Sequence, residues 1–142
     1  MSFKTITYKG KEVRAFDFLM KKENALDIIS GKKKIEFRDF SPHYCNLFEN
    51  KEKDNEGNKI TRNDIHFIHF TNYNKSWFLN VKIEKVDYCA INKNWHDYFV
   101  KNYDTHDFEG LWQKNEGKDW KNCPAIFFMP ILEVLEHNIQ IK

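Results

Sequence analysis

Residues 30–40 read SGKKKIEFRDF, and they join a helix pattern to a strand pattern. Upstream, KKENALDIIS (21–30) places Ala25, Ile28 and Ile29 at i, i+3 and i+4, which makes one apolar helix face. Gly31 stands where a helix ends in the left-handed conformation, which glycine adopts without a Cβ clash. The three lysines after it suit the negative end of the helix dipole. KIEFRDF (34–40) then alternates. Ile35 and Phe37 are expected to face a core, with Lys34, Glu36 and Arg38 on the opposite face, and Pro42 closes the strand.

Working outward, AFDFLM (15–20) reads as a buried strand, and the polar stretch before it holds a short ribbon around Thr5–Tyr8. The most polar segment is ENKEKDNEGNKITRND (49–64). It reads as an exposed loop or protruding hairpin within 46–63, not as a linker, because the flanking lengths are too short for two cores. DIHFIHF (64–70) is a strand, and SWFLNVKIEKVDYCAI (76–91) a longer one. In the longer strand the apolar phase slips from Trp77, Leu79, Val81 and Ile83 to Val86 and Tyr88, which predicts a bulge near Lys85. NWHDYFVKNYD (94–104) is helical by its spacing of Trp95, Tyr98, Phe99 and Tyr103, inside an aromatic insert spanning 92–122. The chain ends in a long apolar strand, where Pro130 implies a bulge or an edge position. This order predicts one α+β domain over 1–142, built as a small mixed β-barrel.

The 142 residues suffice for a core without a disulfide or metal staple. They are 41% hydrophobic, 31% charged and 16% aromatic, a globular composition, and the net charge of +2 points to no partner by itself. No apolar run is long enough to span a bilayer, so no membrane association is expected. Cys45, Cys89 and Cys123 are odd in number and far apart, which suits a reducing cytoplasm; Cys89 and Cys123 read as small apolar core residues.

A lysine, a carboxylate and a guanidinium beside one another form a candidate anion or base-edge site. Arg38 offers a forked contact, Lys33 a point charge, and Glu36 orients either cation or accepts from a base. Trp77, Trp95, Tyr98, Trp112 and Trp120 are candidates to stack a base. The plainer reading is an ion pair between Glu36 and Arg38 on a solvated strand face, with helix packing for Trp95, Tyr98 and Phe99. His66 and His69 are three apart and face opposite sides of a strand, and His43 with Cys45 has no second pair at ligand spacing. No metal and no cofactor are expected, and no Gly-rich phosphate loop, GxSxG elbow or CxxC motif occurs.

Gly31-x-Lys33-x-x-Glu36-x-Arg38 resembles the GxKxxExR signature of ASCH domains, a branch of the PUA-like superfamily. The likeness is clear over 15–40 and looser over 64–91 and 124–137. It implies a PUA-like β-barrel of five to six mostly antiparallel strands, with two or three helices that close its ends, and a cleft beside the motif. It also implies RNA or a modified nucleoside as ligand, with Gly31, Lys33, Glu36 and Arg38 as binding residues, to which Trp77 is added as a stacking partner. Some related proteins are hydrolases, acting on N4-acetylcytidine-like nucleosides or on RNA. In that case Lys33 and Glu36 would be catalytic, with an acid from Asp104, Asp107 or Glu109. The threonine nucleophile of the amidohydrolase branch falls on Glu36, which has no hydroxyl. A protein-interaction domain is the remaining alternative.

Overall fold

A computed structural model describes residues 3–53, 59–105, 112–114 and 124–140. The chain opens with a hairpin of β1 (Phe3–Tyr8) and β2 (Lys11–Leu19). Its two-residue turn, Lys9 (φ 50°) and Gly10 (φ 79°), has both residues in the positive-φ region that matches strand twist. Then come α1 (Lys22–Ser30), β3 (Ile35–Asp39), α2 (Pro42–Phe48), and the ribbon β4 (Glu49–Lys53) and β5 (Lys59–Thr61). The order continues with β6 (Phe67–Thr71), β7 (Phe78–Ile83), β8 (Asp87–Ala90), α3 (Lys93–Tyr103) and β9 (Ala125–His137). Gly31 ends α1 at φ 87°, its N–H donating to the Ile28 carbonyl.

The α+β class stands, with a larger sheet than the sequence predicts. Seven strands hydrogen-bond in the order β1-β2-β6-β7-β9-β3, and β8 pairs β9 beside them. Among the described residues every pairing is antiparallel except β2 with β6. The ladders do not close into a ring: none described joins β1 to β3. β1, expected only as a short ribbon, pairs the outer edge of β2 from Lys11 to Phe16, and β3 meets β2 beyond that ladder through a side chain, Arg38 Nη2 on the Leu19 carbonyl. The polar segment forms the separate two-stranded ribbon β4–β5.

Residues 76–91 form two strands, not one bulged strand. β7 pairs β9 from Ile131 to His137, and β8 pairs it from Ala125 to Phe128. The apolar phase slip is the break between them, and the unmatched residues lie on β9 at Leu132 and Leu135. Pro130 sits opposite that break. Its carbonyl accepts from the Glu84 N–H at 3.0 Å, and in extended chain a residue's nitrogen points to the same side as its carbonyl. The missing donor therefore falls in the gap, while the β3 ladder continues through the Ile131 N–H to the Lys34 carbonyl at 2.9 Å.

β9 separates two apolar clusters. Phe127 and Met129 join the larger one, with Phe16, Phe18, Ile68, Phe70, Leu79, Ala25 and Ile28. Ile126 and Phe128 face the smaller one, with Ile35 and Phe99 of α3. Fully burying a side chain such as Ile28 stabilises by about 1.5–3 kcal/mol. Phe48 of α2 stands at the centre of the larger cluster. Its ring meets Phe16 at 5.0 Å on β2 and Phe127 at 4.9 Å on β9, so α2 ties the two limbs of the curled sheet.

Candidate functional site

β3 lies between the two clusters, and this changes the environment of the motif. Ile35 and Phe37 pack on the smaller cluster, as the alternation predicts. The opposite face is not solvated. Glu36 is only 5% exposed, opposite Met129, and Arg38 lies opposite Phe127. Glu36 holds both cations: Lys33 Nζ is 3.3 Å from Oε1 and Arg38 Nη2 is 2.9 Å from Oε2. The Phe37 N–H also donates to Oε1 at 3.2 Å. Burying a carboxylate demands this kind of compensation, from paired charge and donated hydrogen bonds together.

Arg38 does more than pair. Nη2 donates to the Leu19 carbonyl at the end of β2 (3.1 Å), and Nη1 donates to the Tyr44 hydroxyl on α2 (3.0 Å). Its guanidinium lies over the Phe18 ring at 4.5 Å, a cation–π contact that strengthens as water is excluded. The side chain thus bridges β3, β2 and α2 across the seam that no ladder closes. Among the described residues Arg38 Nε is buried without a hydrogen-bond partner, as are His96 Nε2 and Trp112 Nε1 beside the smaller cluster.

An open cleft of about 360 Å³ lies in that seam, lined by residues that include Lys21, Asn24, Glu36, Arg38, Asp39 and Tyr44. No protein-family model matches the chain, and neither a curated protein nor a solved structure matches it. The site is therefore argued from its own geometry.

The structure brings Lys33, Glu36 and Arg38 together and leaves the other candidates elsewhere. Gly31 shapes the turn that carries Lys33; Glu36 and Arg38 line the cleft, whereas Gly31 and Lys33 are not among its lining residues. Trp77 is buried in the larger cluster and borders a separate hollow with Lys22 and Asn138. Trp95 packs on Phe99 and Phe128 in the smaller cluster, with Tyr98 against its ring at 5.5 Å. Trp112 lies with that cluster, beside His96. Asp104 closes α3 in the left-handed conformation. Asp107, Glu109, Trp120 and Cys123 lie outside the described residues.

Tyr44 and the Leu19 carbonyl are site members that the motif does not contain. Tyr44 belongs to α2, which begins at Pro42 and is capped by Ser41, whose Oγ accepts from the Tyr44 N–H at 3.5 Å. Ser-Pro at N-cap and N1 is a helix-start signal, so the sequence carried the clue where only a strand end was read.

The two histidines of DIHFIHF are locally satisfied. His66 Nε2 meets the Asn63 carbonyl at 2.9 Å, and His69 Nδ1 meets Asn80 Oδ1 at 2.6 Å. Among the described residues no three His, Cys, Asp or Glu side chains are grouped to hold a metal ion. Burial pushes the Cys89 thiol well above its ordinary range, which makes it a poor nucleophile at neutral pH. The Arg62 fork holds the Asp64 carboxyl down at about 2, and burial raises the Tyr103 phenol to about 12. Among the described residues no helix is long and apolar enough to cross a membrane.

Proposed function

We propose that this chain is an ASCH-type, PUA-like domain that binds single-stranded RNA or a modified nucleoside in the seam cleft beside Lys33, Glu36 and Arg38. The observation that carries the reading is the buried Glu36, held between two cations on the wall of an open cleft. On this reading the curled sheet is a PUA-like barrel whose last seam is bridged by the Arg38 side chain in place of a ladder. The odd number and wide spacing of Cys45, Cys89 and Cys123 support a cytoplasmic setting.

The cleft volume of about 360 Å³ lies near the lower end of small-molecule sites. Its polar lining suits a base edge. Asn24 can donate and accept, while the Asp39 oxygens accept from ring or exocyclic N–H groups. Lys21 at the α1 entrance meets a phosphate or sugar. The triad works mainly as a fixed frame, because the Arg38 fork is already committed to Glu36, Leu19 and Tyr44.

The test is fluorescence anisotropy with labelled pentaribonucleotides of mixed sequence, competed by a panel of modified nucleosides, with every mixture analysed for products. Wild type should bind saturably. Asn24→Ala and Lys21→Ala, changes at exposed positions, should each weaken binding about tenfold, near 1.4 kcal/mol. Arg38→Ala should abolish binding in protein whose circular dichroism shows it folded. A product that disappears in Lys33→Ala would assign the hydrolase alternative. No binding to any ligand would overturn the proposal.

A further inference from the structure

The seam cleft does not stand alone. A second cleft, of about 350 Å³, lies on the other side of Leu19, Arg38 and Tyr44, and those three residues wall both. Its remaining lining includes Asp17, His43, Thr71 and Lys75. His43 in turn also walls a third hollow with Asn46 and Arg62. The three depressions therefore share walls in sequence and run along α2 as one groove.

Charge is distributed unevenly along it. The seam cleft is lined by two carboxylates, Glu36 and Asp39, against Lys21 and Arg38. The second cleft has one carboxylate, Asp17, against Arg38 and Lys75, with His43 added. The lining thus shifts from carboxylate acceptors for a base edge toward Lys75, a point charge for a phosphate.

The second cleft is also bounded by a shaped turn. Asn72 Oδ1 accepts from the Ser76 N–H (2.8 Å) and the Trp77 N–H (3.3 Å), and its Nδ2 donates to Ser76 Oγ (2.6 Å). This fixes the β6–β7 connection, where Lys75 adopts φ 57° at the cleft. The same turn leaves the Tyr73 ring 91% exposed, with no packing role. An exposed aromatic next to a lysine is the pairing that single-stranded nucleic acid uses, a stacking face beside a backbone cation.

We infer that the ligand is a strand and not a free nucleoside: one base enters the seam cleft, and the adjoining phosphate and nucleotide occupy the second cleft against Lys75 and His43. This inference rests on the function proposed above and deepens it by naming the ligand class.

The experiment compares one nucleoside with the trinucleotide that contains it, by isothermal titration at several salt concentrations. The proteins are wild type, Lys75→Gln and His43→Gln, two substitutions at exposed positions outside the triad. The trinucleotide should bind at least tenfold more tightly than the nucleoside. Each substitution should lower trinucleotide affinity roughly 3–10-fold and leave the nucleoside unchanged, and each lost phosphate contact should reduce the salt slope by about 0.7. Equal affinity for nucleoside and trinucleotide, or two silent substitutions, would overturn the strand inference while leaving the seam cleft as a nucleoside site. Failure of both ligands to bind would overturn the function itself.

Discussion

At the scale of single residues, Glu36 decides whether the seam is a frame or a void. Its two oxygens compensate Lys33 and Arg38, whose side chains are 12% and 15% exposed. Removing one member of a buried ion pair leaves an uncompensated charge and costs about 3–5 kcal/mol. Glu36→Gln should therefore lower the urea midpoint by an amount equivalent to about 3 kcal/mol, the lower end, because both cations keep some contact with water. A change under about 0.5 kcal/mol, the range of ordinary surface substitutions, would show that the triad is not energetically coupled.

Asp64 gives a pH prediction with a definite sign. Its carboxyl is lowered from 3.8 to about 2 in the folded chain, chiefly by the hydrogen bonds from Arg62. A depressed folded value means the stabilisation is complete above about pH 4 and is lost as pH falls through about 2. Because the Asp64 side chain is 55% exposed, solvent screening makes the effect small. Acid unfolding of Asp64→Asn should show a shallower loss of stability in that window than wild type, and identical curves would contradict the pairing.

What the sequence revealed at this scale follows from local geometry. Residues two apart on a strand share a face, so Glu36 and Arg38 were legible as a pair, with Lys33 one turn away. Tyr44 and the Leu19 carbonyl were not, because their meeting with Arg38 depends on how α2 and β2 pack. The burial of Glu36 was hidden for the same reason: alternation predicts a polar outer face, and only the tertiary fold covers it.

At the scale of elements, chain direction changes at a few determinable points. Gly31 holds φ 87°, and a Cβ built there would meet nothing within 4 Å. Any penalty for Gly31→Ala is thus backbone strain alone, about 1–2 kcal/mol for an L-residue in the left-handed region. Chemical denaturation should show that loss, with Gly31→Asn milder, since asparagine tolerates this conformation. An alanine variant as stable as wild type would mean the turn relaxes to another shape. α1 and α3 were legible because their apolar residues repeat at helical spacing. α2 was not, since its seven residues are too few for a period, although Ser41-Pro42 marked its start. β7 and β8 merged into one strand because the break at 84–86 carries no Gly or Pro, only a change of phase.

At the scale of the whole molecule, the α+β class followed from the order of strand and helix patterns, but the open sheet did not. Closure depends on long-range pairing, and β1 runs along β2 in a register no local pattern encodes. Arg38 crosses the gap from one strand, α2 fills it from within, and the groove follows the helix. Among the described residues, Trp77, Trp95 and Trp112 lie in or against the two cores and line neither the seam cleft nor the second cleft.

The most direct measurement is amide chemical-shift mapping of the isotopically labelled protein during titration with pentaribonucleotides of mixed sequence. The account predicts shifts concentrated at 19–24, 36–39 and 43–44, extending to 71–75, with α3 unmoved. Shifts centred on α3, or none at saturating ligand, would contradict it.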